Sequence, residues 1–530
     1  MHDDFSNLLL AETLCLGRVC NPTPIAAESL ETFHVLVTPT YTSKFPIGPA
    51  LFLSLGKMVV GSPAFGLWCC AALATACLSW MLASIFTARW VMWIGLLLAI
   101  HPCWQNGWAQ EYTHGWLPMS GCALVLGSVL RLRNRVVQQE QCRVSAFTIA
   151  LGIGLGGCLV LFSRPFDGGI VCFLLVVSLL PRILTQRWYE YRVFWSSAGI
   201  ASGLLLAGLL VQVGINRQIT GHWTQLPYQL HEQQYGVAPL FVWSKPHEPT
   251  LGHRFREIES FHREGSLGSW ARARSASGFV QLFWVRIQNL AAQWGYLLTC
   301  LPLLSLAMQS ERSRFGWLWC IALLSLLIIN TIPWVMPAYV ASLVPIALLL
   351  ACVGVRGWIR VWIQQCSDGL SASLGTDARP ARVSSRRRVE WIVITLFGFA
   401  QLSSFAIATW SRATHQKGWE RDWAEHRVDV ERQLDETPGR HLVLVAYSPQ
   451  HNVHEEWVYN APEPELAKVV WARCGDERLN ESLLRGYADR RIWLMDADQR
   501  TLRELGFASN LTHRSEVLVR IATEPTDAAP

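Results

Sequence analysis

Long apolar runs separated by short polar loops repeat from residue 63 to residue 410 and then stop. A helix that crosses a bilayer needs roughly 20 mainly apolar residues, fewer where neighbouring helices shelter it. By that measure the candidate spans are 63–87, 89–104, 114–131, 147–163, 169–183, 194–214, 290–308, 316–332, 338–355 and 390–410, about ten in all. A long polar loop, 215–289, follows the sixth. The stretch IGPALFLSLGKMVVG (47–61) is short and glycine-rich for a span, and predicts a helix lying along the membrane interface. The tail 411–530 changes character. HLVLVAYS (441–448), AKVVWARC (467–474) and RIWLMDAD (491–498) predict buried strands, with EWVYNAPEPELA and ESLLRGYADR as helical stretches before the second and third. Strands alternating with helices predict a small parallel α/β module. The pattern therefore describes an α-helical polytopic membrane protein with a C-terminal α/β domain, organised as 1–62, 63–410 and 411–530.

Arginine placement gives the orientation. Short cytoplasmic loops carry an excess of Lys and Arg. Arg131, Arg133, Arg135 and Arg143 follow the third span, Arg182, Arg187 and Arg192 the fifth, and Arg312 and Arg314 the seventh. The loop 356–388 follows the ninth and holds Arg356, Arg360, Arg379, Arg382 and the run Arg386, Arg387, Arg388. Even numbers of spans separate these loops, so all four share the cytoplasmic side. Residues 1–62, the bend SRPFDGG (163–169), the loop 215–289 and the tail then share the extracytoplasmic face.

Composition agrees with a membrane chain. Apolar residues make up 51% and charged residues only 16%, against about 25% in soluble domains, and mean hydropathy is +0.24. The 26 tryptophans suit a membrane–water boundary. A net charge of +6, located in cytoplasmic loops, does not describe a nucleic-acid surface. Of the fifteen cysteines most lie in apolar runs, where Cys acts as a small hydrophobe. A Cys15–Cys20 bridge is open on spacing. The tail has no GxGxxG or GxxxxGK loop, so nothing marks it as a nucleotide site.

The candidate chemistry lies on the outer face. Asp3 and Asp4 open the chain ahead of an amphipathic segment, and Lys44 stands just before the interfacial helix. A carboxylate at a membrane surface can draw the proton from an acceptor hydroxyl, and a lysine at headgroup level suits a lipid-linked phosphate as a point charge. Acid, cation and membrane together point to sugar transfer from a lipid phosphate carrier. Asp4 equally suits the first turn of a helix. Arg164 stands beside Asp167, able to pair with it or to meet a phosphate. His101, Glu111 and His114 flank a short outer loop with Trp104, Trp108 and Trp116, but at no standard metal spacing.

HDDFSNLLLAETLCLGRVCNPTP, followed by ETFHVLVTPTYTSKFPIGPALFLSLG, resembles the first outer loop of GT-C-type glycosyltransferases. Within them it is most similar to the branch of protein O-mannosyltransferases and the lipid A aminoarabinose transferase. The resemblance maps the acid pair onto Asp3 and Asp4, and the Lys-x-Pro element onto Lys44-Phe45-Pro46. SRPFDGG resembles a further outer-loop element, with Arg164 as its cation. TGHWTQLPYQLHEQQYGVAPLFVW and PGRHLVLVAYSPQHNVHEEWVYN extend the likeness over nearly the whole chain. It implies an inverting glycosyltransferase of the bacterial inner membrane, taking a sugar from a polyprenyl-phosphate carrier to a lipid, glycan or protein acceptor. No cofactor is implied, and a divalent metal stays open. Asp3 and Asp4 are then catalytic, Lys44 and Arg164 hold the carrier phosphate, and Tyr228, Tyr235 and Tyr339 contact donor or acceptor. Two departures stand out. The group has a membrane helix before its acid pair, which is expected here upstream of a start assigned too late. In WVMPAYVAS (334–342) Tyr339 is kept, while Ala338 and Ser342 stand where relatives carry other residues. The competing functions are a flippase of lipid-linked saccharides, which the lack of ionisable residues in mid-span disfavours, and an inactive scaffold displaying the tail.

Overall fold

A computed structural model describes residues 2–99, 115–137, 146–185, 192–294, 299–374 and 419–507, with the single positions 101, 108, 111, 112, 395, 399, 402, 403 and 406. The chain divides into two compact units, one of 1–66, 212–272 and 412–530, the other of 67–211 and 273–411.

The first unit is built on a four-stranded sheet in the order β4-β3-β5-β6. Strands β3 (His441–Ala446), β4 (Val469–Arg473) and β5 (Arg491–Asp496) run parallel, and β6 (Thr501–Phe507) is antiparallel to β5. Alternate residues of the central strands feed two cores. Leu442, Leu444, Ile492 and Leu494 pack with Leu483, Leu484 and Tyr487 on one face. Val443, Val445, Trp493 and Met495 pack with Trp423, Val430 and Leu434 of the helix Trp419–Glu436 on the other. Burial on both faces explains why these strands are continuously apolar.

Two expectations for the tail need correction. EWVYNAPEPELA is not helical: Pro462 and Pro464 interrupt it, Trp457 and Val458 enter the core, and the stretch runs along the edge of the sheet. There Asn460 takes the place of a strand neighbour, accepting from Trp471 N and donating to Trp471 O, each at 2.8 Å. The helix before β5 spans Glu477–Gly486, with Asp476 as its N-cap, accepting from Leu479 N at 2.9 Å. The fourth strand, β6, was not expected at all. It follows a turn in which Asp496 accepts from the backbone of Asp498 and Gln499.

The N-terminal part of the same unit is a helix, α1 (His2–Cys15), packed on a second, α2 (Ile47–Val60). Lys57 of α2 pairs with Glu12 of α1. The face of α2 away from α1 exposes Leu51, Leu55, Met58, Val59 and Val60. Close approach where the chain turns back on α2 requires glycine at 66, since a Cβ there would stand 1.8 Å from Phe52 O. Cys15 and Cys20 are free thiols, so the open bridge is not formed.

The second unit is helical. Among the described residues four helices are long and apolar enough to cross a membrane: Pro63–Leu82, Phe194–Thr220, Gln309–Ile329 and Pro337–Gln365. Shorter apolar helices include Ala88–Ala99, Ala146–Leu161 and Asp167–Val177. The helices Trp116–Val137 and Ala146–Leu161 meet backbone to backbone: a Cβ on Gly121 would lie 2.5 Å from Gly156 O, and one on Gly156 2.7 Å from Gly121 O. Small residues at such crossings are how helices pack without a hydrophobic drive between them. Within the expected span 290–308 the described residues hold the end of the helix Ala276–Trp294, which begins earlier than expected, and a short helix Leu303–Ala307. Gln281, Arg286 and Gln288 depress the hydropathy of that first helix, which is why its beginning read as loop. The expected span 390–410 falls outside the described residues save for single positions.

Candidate functional site

The first turn of α1 carries Asp3 and Asp4, both half-buried, where a helix N-terminus favours negative charge. A two-residue ladder then aligns the next segment: β1 (Val35–Leu36) pairs with β2 (Thr42–Ser43), Val35 opposite Ser43. The ladder continues by one bond, from Lys44 N–H to His34 O at 3.1 Å. Ser6 of α1 locks onto this junction, its hydroxyl 2.7 Å from His34 O and 2.6 Å from the Ser43 hydroxyl. The His34 ring then reaches Asp3, Nε2 to Oδ1 at 3.2 Å. Asp3 and Lys44, 41 residues apart in sequence, are thus both fastened to one residue.

Lys44 is buried at 5% exposure. Its ammonium lies 3.0 Å from Glu232 Oε1 and 4.8 Å from the ring centre of Tyr228. Glu232 and Tyr228 belong to the helix Pro227–Tyr235, begun by Pro227 at its first position and by Gln229 accepting from Leu226 N. Burial works to raise the Glu232 carboxyl, but the Lys44 ammonium and the His231 ring outweigh it and hold it far below the usual carboxylate range. His231 is pushed down to about 4, by burial first and by Lys44 second, against the pull of Glu232. Burial also holds His34 well below its ordinary value, reinforced by Lys44, His2, His231 and His262. At neutral pH the ring that faces Asp3 is therefore a neutral imidazole.

His34 belongs to a row of six histidines, His454, His2, His34, His231, His262 and His253, with successive ring centres 5.5 to 6.1 Å apart. Among the described residues no three His, Cys, Asp or Glu side chains are arranged to hold a metal ion. His101 and Glu111 are described, whereas His114 and Trp104 lie outside the described residues.

A cleft of about 650 Å³ opens beside the Lys44–Glu232 pair, lined by Gln225, Tyr228, Gln229, Glu232, Gln233 and His247 among others. Three side-chain amides, two histidines and the Tyr228 ring share this lining with Ala238, Pro239 and Leu240, and the carboxylate in it is paired with Lys44. Tyr235 does not line it: the ring is 3% exposed and its hydroxyl donates to Glu31 Oε1 at 3.2 Å.

Arg164 and Tyr339 belong to the second unit, and are brought together there. The Arg164 guanidinium lies 4.3 Å from the Tyr339 ring centre, and its Nη1 is 4.0 Å from Asp167 Oδ1. Arg286, fully buried, stands 5.9 Å from the same ring. It donates from Nη2 to Ile332 O at 2.7 Å and Trp334 O at 3.0 Å, and from Nε to Asn330 Oδ1 at 3.3 Å. Its Nη1 and Asp167 Oδ2 are buried with no hydrogen-bond partner. Ala338 and Ser342 are buried beside Tyr339 in the chain, in the 3₁₀ turn Pro337–Leu343.

The sequence pointed to Asp3, Lys44, Arg164 and Tyr339, and to HEQQYG as a stretch that contacts the acceptor or closes over the site, but not to His34 or Arg286 and not to the pairing of Glu232 with Lys44. Nothing local in HEQQYG or ETFHVLV reveals the partners of His231, Glu232 or His34.

No protein-family model matches the sequence, and no curated protein matches it. Among solved structures the chain is similar to ArnT from Cupriavidus metallidurans in the apo state (TM-score 0.47, 11% identity, 93% of this chain and 88% of that one). It is similar to the same protein bound to undecaprenyl phosphate (TM-score 0.47, 13% identity, the same coverage). It is also similar to the oligosaccharyltransferase AglB from Archaeoglobus fulgidus in complex with an inhibitory peptide and a dolichol-phosphate (TM-score 0.34, 11% identity, 93% of this chain and 65% of that one).

Proposed function

We propose that the chain is a GT-C-type inverting glycosyltransferase that moves a sugar from a polyprenyl-phosphate carrier to a hydroxyl group of a lipid, glycan or protein acceptor. The observation that carries this reading is the joint fastening of Asp3 and Lys44 to His34, an ionisable base and a buried cation held in one place. Asp3 accepts the proton of the acceptor hydroxyl as its oxygen bonds the anomeric carbon from the side opposite the phosphate. The bond from that carbon to the phosphate oxygen breaks, its electron pair stays with the phosphate, and Lys44 stabilises the charge that develops. Glu232 holds the Lys44 ammonium in place until a phosphate oxygen competes for it. Asp4 supports the negative end of the site from the same helical turn. Tyr228 and the amides around it suit the hydroxyls of a neutral sugar ring. Arg164, with Tyr339 and Arg286, offers the second unit a cationic place for an anionic group. Tyr235 acts from behind, through Glu31.

We place this chemistry on the extracytoplasmic face of the bacterial inner membrane. Support comes from the first unit itself: 1–62, the part of 215–289 up to residue 272, and 412–530, which arginine placement puts on one side, belong to one compact body. The exposed apolar face of α2 suits a helix lying in the interface.

The test uses the full chain in proteoliposomes, supplied with polyprenyl-phosphate sugars and membrane acceptors. Asp3→Asn keeps size and loses the proton-accepting charge, so turnover is expected to fall by about 10²–10⁴-fold with donor binding little changed. Lys44→Ala is expected to weaken donor binding as well as turnover. An Asp3→Asn protein with parental turnover removes Asp3 from the mechanism, and loss of transfer with continued lipid-sugar movement across the bilayer points to a flippase instead.

A further inference from the structure

The use of His34 is not explained by a fold requirement. Its backbone is left-handed, φ 63°, a conformation uncommon for residues with a side chain. Glycine would fit that conformation without strain. What the histidine adds is its ring, which contacts Asp3; the main-chain carbonyl of the same residue accepts from Lys44 N and from the Ser6 hydroxyl. The other ring nitrogen, Nδ1, is buried and has no hydrogen-bond partner. An imidazole with its one proton on Nε2 fits both facts, a donor toward the carboxylate and a lone pair facing no donor.

We propose that His34 is a positioning residue for Asp3, donating Nε2–H to its carboxylate while its main-chain carbonyl accepts from Lys44 N–H, so that one residue orients the carboxylate and anchors the backbone of the lysine. The inference rests on Asp3 being the base. A donor on the carboxylate favours its ionised form, ready to accept a proton. The charged and titratable groups that face this pair fit the role. Burial first, and then Lys44, His2, His231 and His262 around it, hold His34 uncharged, and Tyr459 lies toward Asp3. An uncharged ring orients the carboxylate without forming a full ion pair that would take away its basicity.

The role is tested on the full-length protein in lipid nanodiscs without any substrate. A water-soluble carbodiimide with glycine ethyl ester couples to protonated carboxyl groups, so its pH profile at Asp3, read by peptide mass spectrometry with fragment ions separating Asp3 from Asp4, follows Asp3 protonation. His34→Gly keeps the backbone conformation and the carbonyl bond to Lys44, and removes only the ring. The labelling midpoint is expected to move up by about one pH unit or more, the size of a lost hydrogen bond to a charged group. His34→Gln places an amide N–H near the Nε2 position and is expected to bring the midpoint most of the way back. His34→Asn tolerates the same backbone but is too short to reach, so it is expected to follow His34→Gly and serves if the glycine variant fails to fold. A midpoint in His34→Gly and His34→Asn equal to the parental one overturns the proposal, as does a glutamine variant no different from glycine. Turnover of Asp3→Asn judges the base assignment separately: lost turnover with unmoved labelling rejects His34 alone.

Discussion

Two carboxylates of the first unit, Glu232 and Glu31, each sit against a cation, yet burial wins at one and loses at the other. Glu232 faces Lys44, which is itself buried, and the same oxygen, Oε1, lies 3.5 Å from His231 Nδ1; the result is a carboxyl held far below its ordinary range. Glu31, 2% exposed, takes Arg254 Nη1 at 2.6 Å and the Tyr235 hydroxyl. Burial nevertheless raises it to about 7, against the pull of Arg254, Tyr235 and Arg473. The difference lies in where the cation's charge goes. Arg254 is partly exposed and also serves Glu28, Nη2 to Oε1 at 3.1 Å, and Glu28 repels Glu31 in turn. Lys44 has no such second acid among its described contacts. A cation shared with solvent and another carboxylate does not offset desolvation, while one enclosed with a single carboxylate does.

The largest effect that tests this contrast is Glu232→Gln. It leaves the Lys44 charge buried without its counter-ion, which costs about 3–5 kcal/mol when such a pair is broken from one side. Thermal or denaturant unfolding in detergent measures it at pH 7. Because the folded carboxyl is depressed, its contribution is fully present above about pH 4.5 and is lost as pH falls through the folded value. The variant should therefore lose the parental protein's decline in stability on acidification below that point. The double variant Lys44→Met with Glu232→Leu is expected to recover most of the stability and none of the activity. A double variant as unstable as the single one would show that the pair holds the fold rather than the chemistry.

Glu31→Gln should show the opposite pH sign. A carboxyl near 7 when folded and near 4.5 when unfolded keeps its proton longer in the native state. Its contribution is complete below about pH 4.5 and is lost as pH rises to about 7, on the order of 2–3 kcal/mol across that window. Glutamine, neutral at every pH, should remove this loss and make the variant relatively more stable at pH 7.5 than at pH 4.5. Melting the two proteins across that range checks it, and parallel curves would mean that Arg254 holds Glu31 ionised after all.

How much of this was legible in the sequence follows from which signals are local. The three parallel strands announce themselves because both their faces are buried, so HLVLVA, VVWAR and RIWLMD are apolar without interruption. Strand β6 hid because none of its residues is buried, and Thr-Leu-Arg-Glu-Leu reads as ordinary surface. The stretch around Trp457 mimics a helix in apolar spacing, and only its prolines and the Asn460 edge contact reveal an extended path. Arg286 was assigned to a loop because polar residues lower the hydropathy of an amphipathic helix. In the site, Asp3 and Lys44 stood out by their place before apolar segments. Glu232 is joined to Lys44 across 188 residues and His34 to Asp3 across 31, and no periodicity encodes such pairings.

The smallest expected effect sharpens the comparison most directly. Glu28 is 43% exposed and accepts from both Arg254 and Arg478, so Glu28→Gln removes surface ion pairs of little net worth, about 0.5 kcal/mol or less at pH 7. Its second consequence is indirect. Without the Glu28 charge, Arg254 belongs to Glu31 alone and the repulsion between the two acids is gone, so the Glu31 carboxyl should fall below about 7. The alkaline loss of stability assigned to Glu31 should then begin at lower pH and be smaller, while the acid limb assigned to Glu232 stays where it is. Unfolding curves from pH 4 to 8 for the parent, Glu28→Gln, and Glu28→Gln combined with Glu31→Gln separate these effects. If the double variant shows the same pH dependence as Glu31→Gln, Glu28 acts through Glu31. If Glu28→Gln shifts the acid limb instead, the two carboxylates are not the independent cases that their separate cations make them.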